Sequence, residues 1–190
     1  RRVKKVDPIK DKADIRRMLD YLEGQSMRNA TLFRLGLNTI LRVSDLLELK
    51  VSDFYTISGK FRRHVTLKEK KTGKVKKIKI NKVARKIVPQ HIQHYHLSGN
   101  DFLFFSTQNP DKAIDRYQAW RVLTKAGNYC GLDNFSPHSM RKTLAYHVYK
   151  QTKDIALTMR LLNHRSPDVT LKYIGIEQEE IDGAYDNHAL

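Results

Sequence analysis

Between residues 61 and 80 the hydrophobic pattern of the chain changes period, and this limits the fold more than any other feature. Before it, Ile15, Met18, Leu19 and Leu22 recur at helical spacing after Asp11 and stop near Gly24. Ser26 is placed to cap a second helix carrying Leu32, Leu35, Leu37 and Ile40, and Ser44 and Asp45 restart a short helix through Leu49. Then Phe61, His64, Val65 and Leu67 form a strand-like run. Thr72-Gly73 makes a turn, and Val75, Ile78 and Ile80 mark the return strand of a β-hairpin. Helical spacing then resumes at about 83–96, although Pro89 counts against that segment and is a place for a kink. FLFF at 102–105 reads as a short buried run. Further helices are expected from Asp115 to Tyr129, from Ser136-Pro137 onward, over about 153–162, and from Ser166-Pro167. Both Ser-Pro pairs put serine at the cap and proline in the first turn. The expectation is a mainly α domain with one small antiparallel β-hairpin, an α+β fold. Residues 1–10 read as a basic linker, 11–176 as the folded domain, and 177–190 as an acidic tail ending in a short helix.

Charge narrows the partner. The 190 residues carry 36 Lys and Arg against 20 Asp and Glu, a net of +16. A domain this basic expects a polyanion, most often nucleic acid. Residues 60–79 hold ten Lys or Arg and a single Glu, whereas the last 14 residues hold five acids and no Lys or Arg. The tail is therefore expected on a basic surface rather than on the polyanion. No apolar run approaches the ~18–20 residues of a membrane span. The N-terminus has no apolar signal region, and Cys130 is the one cysteine, so no internal disulfide or thiolate metal site can form. A cytoplasmic, DNA-associated protein is expected.

Several short constellations carry chemistry. His138 and Arg141 lie at i and i+3 just inside a capped helix, where two side chains and the helix N-terminus can meet one anion. Arg42 falls between two helices among apolar neighbours. It needs either a phosphate or a structural partner such as Asp45 or Glu48. Lys70 and Lys71 precede the hairpin turn, where they either reach a ligand or remain solvated. His164 is followed by Ser-Pro, a helical run and Tyr173. His91, His94 and His96 mimic metal-ligand spacing, but His96 leaves the shared face and no carboxylate or Cys completes a set. There is no Walker A loop, dinucleotide fingerprint or G-x-S-x-G elbow, and no acidic cluster suited to Mg²⁺. No cofactor and no metal are expected.

The order of these segments is more specific than any one of them. LRVSDLLELKVSDF, a hairpin with KKTGK, SPHSMRKTLAYHV and LLNHRSPDVTLKYIGI together resemble the catalytic domain of the tyrosine recombinases, the phage-integrase family, over roughly residues 10 to 180. Carried over residue by residue, the resemblance implies Arg42, Lys71, His138, Arg141, His164 and Tyr173 as the catalytic set, with Lys70 a lesser claimant. It implies a site-specific recombinase that cleaves and rejoins DNA through a 3′-phosphotyrosine, without metal or ATP. The partners implied are double-stranded DNA, a dimer per site and a tetramer in synapsis, with accessory DNA-bending or directionality proteins possible. Asn163, Met140 and Lys142 depart from the commoner Gly, Leu and His, away from the chemistry. The N-terminal helical domain usual in the family is missing here, so the chain is expected to be a fragment. Two other activities share this chemistry or fold: type IB topoisomerase relaxation and non-catalytic DNA binding. A metal-dependent nuclease is a further alternative.

Overall fold

The computed structural model describes residues 6–176, 182, 183 and 185–187. Helix α1 (Lys12–Gln25) starts where the Asp11 carboxylate accepts the Ala13 N–H at 2.8 Å, and it buries Met18 and Leu22. Helix α2 (Met27–Thr39) is central and buried along most of its length. Ser26 holds its N-cap position, but the hydroxyl makes no capping hydrogen bond. Ile40, at φ 54°, turns the chain out of α2.

The short helix expected through Leu49 is α3 (Val43–Leu46), which ends earlier, and a second short helix not expected from the sequence, α4 (Val51–Phe54), follows it. Lys50 separates them. Its backbone bridges to Phe102, and its N–H donates to the Asp53 carboxylate at 2.8 Å.

The hairpin pairs β1 (His64–Lys68) with β2 (Val75–Lys79), Val65 opposite Ile78 and Leu67 opposite Lys76. Side chains alternate across a strand, so Lys76 shares the inward face with Ile78. Val75, grouped in sequence with Ile78 and Ile80, points outward and is 73% exposed. The lysine therefore occupies the inward position that the apolar count assigns to its neighbour.

Helix α5 (Lys82–His94) runs through Pro89, which forfeits only the bond to the Arg85 carbonyl. The run at 102–105 buries Leu103 and Phe104 completely. Helix α6 (Arg116–Tyr129) packs Gly127 against Phe135, where a Cβ would lie 2.8 Å from the ring and 2.9 Å from the Phe135 Cβ. That contact seats the loop leading into α7 (Pro137–Thr152), which opens with Ser136 as cap and Pro137 in the first turn. Helices α8 (Ile155–Leu162) and α9 (Pro167–Ile174) close the domain, with Asn163 between them at φ 59°.

Two apolar clusters result. The larger joins α1 to α6 with the hairpin and reaches Met140 on α7. The smaller holds Ile40, Ala145, Tyr146, Tyr149, Leu162, Ile174 and Ile176. No described helix is long and apolar enough to cross a membrane. Residues 6–10 do not form the free linker expected of them. Ile9 is buried and its N–H donates to Thr143 Oγ1 at 2.8 Å, the Asp7 N–H meets the Asn134 carbonyl, and Val6 accepts from Lys142 Nζ. This segment straps α7 because its backbone finds partners there. The expected acidic tail, 177–190, lies largely outside the described residues; 182, 183 and 185–187 are helical.

Candidate active site

Arg42 takes the N-cap position of α3 in extended backbone. Its Nη1 lies 2.9 Å from Glu69 Oε1, and Glu69 is 2% exposed. Charge rather than alignment holds this pair, since neither atom has an aligned hydrogen-bond partner among the described residues. The sequence-expected partners are engaged elsewhere: Asp45 accepts the Lys70 N–H at 2.9 Å, and Glu48 pairs with Lys70 Nζ at 2.7 Å. Lys71, exposed in the turn, lines a cleft of about 1180 Å³ together with Lys70, Arg42 and His138. Arg116, Tyr117 and Phe102 form other parts of its wall.

Burial pushes the Glu69 pKa up, but the Thr72 hydroxyl, 2.7 Å away, and the charges of Arg42 and Lys76 outweigh it and hold the carboxyl below its ordinary range. Lys76 Nζ stands 3.9 Å from Glu69 Oε1 and donates to the Leu161 carbonyl at 3.0 Å. Burial, then the nearby Arg141, lowers this amine to about 8.

Arg141 is buried at 3% exposure and ties two helix ends together. Nη1 donates to the Ile40 carbonyl at 3.0 Å and Nη2 to the Leu162 carbonyl at 2.6 Å. Its charge also acts on the Tyr173 hydroxyl and favours the phenolate there. The partner of the HxxR pair faces the cleft instead: His138 sits in the first turn of α7, its N–H on the Ser136 cap at 3.3 Å. Loss of hydration, then Arg116, Arg141, Lys142 and Lys71, lowers its pKa.

The αL turn at Asn163 lets the His164 N–H return to the Met159 carbonyl at 2.9 Å. Asparagine tolerates this conformation, which explains why glycine is not required there. Burial, Arg141 and Arg42 lower the His164 pKa, so its surroundings, like those of His138, favour the neutral imidazole. Its ring stands edge-on to Tyr173, centroids 5.0 Å apart at 89°. Lys142 Nζ lies 4.8 Å from the Tyr173 ring centroid on another side. Burial raises the Tyr173 pKa, and Arg141 and Arg42 oppose that. The phenol thus keeps its proton at neutral pH unless a base takes it.

Arg42, His138, Arg141, His164 and Tyr173 form one chain of neighbours, with Lys71 at the cleft edge. Three further side chains were not read from the sequence: Glu69, Lys76 and Thr170. The signal for Glu69 was the lone acid among ten cations at 60–79. For Lys76 it was alternation with Ile78 and Ile80. Nothing in the sequence distinguished Thr170. His91 belongs to the core, fully buried with Nε2 2.7 Å from the Leu103 carbonyl. Among the described residues no group of three His, Cys, Asp or Glu could hold a metal ion.

A helical domain with one basic hairpin, in which two arginines and an imidazole gather at one tyrosine, fits the tyrosine recombinase class. Residues 10–180 match the model of the phage integrase family, and the chain belongs to that family. It is 37% identical over 180 residues to the probable integrase/recombinase YoeC of Bacillus subtilis, covering 95% of each chain. It is 23% identical to tyrosine recombinase XerA of Pyrococcus furiosus, covering 93% of this chain and 60% of that one. A crystal structure of a lambda integrase (75–356) dimer bound to a COC′ core site superposes with a TM-score of 0.71 at 18% identity. That match covers 92% of this chain and 61% of the other. The chain thus spans nearly all of one relative and about three-fifths of the others. Site-specific recombination is the activity of the family these matches identify.

Proposed function

We propose that the domain breaks and rejoins DNA through a covalent 3′-phosphotyrosine at Tyr173, without metal or ATP. The observation that carries this reading is Tyr173, whose ring packs against His164 and whose hydroxyl lies within the field of Arg141 and Arg42. Attack on a phosphodiester adds negative charge to the non-bridging oxygens. Two guanidiniums grip such oxygens in fork geometry, and fixed donors of this kind supply ~3–4 kcal/mol each. Arg42 and Arg141 take that role. His138 and His164 add hydrogen bonds and proton transfer, and Lys71 protonates the departing 5′ oxygen. The phosphotyrosine conserves the bond energy, so a second 5′-hydroxyl can reverse the attack on a new strand. The basic hairpin follows the backbone of double-stranded DNA, giving affinity with little sequence information. The lambda integrase dimer on its core site supports assembly of this domain as a dimer on each DNA site, and two such sites brought together in synapsis make a tetramer. The acidic tail then packs on a neighbouring protomer, and accessory DNA-bending or directionality proteins bind outside this domain.

The test is direct. Incubation with supercoiled plasmid in EDTA, followed by an SDS quench, is expected to yield a protein–DNA adduct with the wild type and none with Tyr173→Phe. Adduct that persists in Tyr173→Phe, or that vanishes for the wild type in EDTA, overturns the reading. Strand exchange between two sites separates a recombinase from a topoisomerase.

A further inference from the structure

Five threonines donate their hydroxyl to the carbonyl four residues back: Thr39, Thr143, Thr152, Thr158 and Thr170. This is ordinary helix behaviour. Thr170 differs from the other four because an imidazole nitrogen also reaches its oxygen: His164 Nδ1 lies 3.2 Å away. Thr170 is fully buried in the first turn of α9.

We propose that Thr170 is a positioning residue that fixes His164 as the Nδ1–H tautomer, leaving Nε2 as the lone-pair nitrogen that takes the Tyr173 proton. The argument is a count of protons. A carbonyl oxygen only accepts, so the 2.9 Å contact between Thr170 Oγ1 and the Ser166 carbonyl requires the threonine proton. A hydroxyl has one. Its oxygen can therefore only accept at His164, and Nδ1 must donate. A neutral imidazole carries one N–H, so Nε2 holds the lone pair. The charged groups facing this ring are Arg141 and Arg42, and both favour the neutral form. The Ser166 carbonyl thus acts through Thr170 to orient His164, which gives the interval from Ser166 to Tyr173 a chemical purpose: one helix carries both the nucleophile and the group that orients its base.

The proton's destination rests on the strand-transfer reading; the tautomer does not. In the step, the Tyr173 Oη–P bond forms while the P–O5′ bond breaks. The phenol proton passes to His164 Nε2, and O5′ leaves with a proton from Lys71.

The test uses ¹⁵N-histidine NMR of the DNA-free protein at pH 7, for the wild type, Thr170→Ser and Thr170→Val. The wild type and Thr170→Ser are expected to show His164 protonated at Nδ1; Thr170→Val loses that preference. Adduct formation on plasmid DNA should slow about 100-fold in Thr170→Val, with thermal unfolding and DNA affinity retained and Thr170→Ser close to the wild type. An Nε2–H tautomer in the wild type, or an unchanged tautomer in Thr170→Val, overturns the assignment. A wild-type adduct rate in Thr170→Val overturns the role in proton transfer. Failure of the wild type to form any Tyr173 adduct removes the strand-transfer reading and the proton's destination, while the NMR result still decides the tautomer.

Discussion

The two ends of the site ride on two very different bodies. Arg42 and the hairpin with Lys71 are mounted on the large cluster, which includes Phe33, Phe54, Phe104 and Leu103, all at 1% exposure or less. His164 and Tyr173 are mounted on a cluster of seven buried residues. Helix α7 belongs to both, with Met140 in the first and Ala145, Tyr146 and Tyr149 in the second. Arg141, between those positions, closes the seam through the Ile40 and Leu162 carbonyls. Opening free energy follows the apolar contacts that must be broken. Arg42 and the hairpin are therefore built on the stiffer body, and His164 and Tyr173 on the one with fewer apolar contacts to break. On the proposed mechanism, in which Tyr173 engages and later releases a DNA end, the second body is the better mount for it.

The comparison breaks or holds on core truncations. Phe33→Ala should cost ~3–5 kcal/mol of global stability, read as a lower denaturant midpoint. Ile174→Ala should cost about 2–3 kcal/mol, with faster amide exchange confined to α8 and α9 at first. If exchange in α2 rises equally, the two bodies open as one and the contrast is wrong.

Lys76 sharpens the contrast, because it links the hairpin to the Leu161 carbonyl across the seam. In the folded domain its amine loses its proton near pH 8, against 10.5 for a free lysine. Between those values the unfolded chain binds more protons, so the stability contributed through this group rises with pH across that window. Lys76→Met is expected to lack the rise. Thermal midpoints of the two proteins from pH 7 to pH 10 should diverge above pH 8; parallel curves would place the amine in solvent.

Much of this was legible before any coordinates. Helical spacing and two Ser-Pro starts gave α1, α2, α6, α7 and α9, because caps and apolar periods are local signals. Helix α4 escaped because four residues carry no period; it exists through Lys50, Phe102 and Asp53. The six residues assigned by resemblance lie within one neighbourhood, but what holds them there was hidden. Glu69 reads as one solvated charge in KEKKTGK until tertiary contacts bury it against Arg42. Arg42 itself was matched in sequence to Asp45 or Glu48, partners near in the chain, whereas the hairpin supplies one from 27 residues on. Long-range pairing of charges is not a pattern that spacing encodes.

The smallest expected effect lies at the hinge between the two helices of the minor body. Asn163 holds φ 59° and so turns the His164 N–H onto the Met159 carbonyl. Alanine at a left-handed position costs about 1 kcal/mol, and glycine costs nothing there sterically. Asn163→Ala should therefore lower the urea midpoint slightly, and Asn163→Gly should not. Both keep α8 and α9, whose own caps are Asp154 and Ser166. The informative readout is adduct formation. If the turn only joins two helices, Asn163→Ala changes stability and leaves the rate alone. If it sets the height of His164 beside Tyr173, the rate falls by more than the stability loss explains, and Asn163→Gly restores it, because the backbone angle rather than the asparagine side chain places the imidazole.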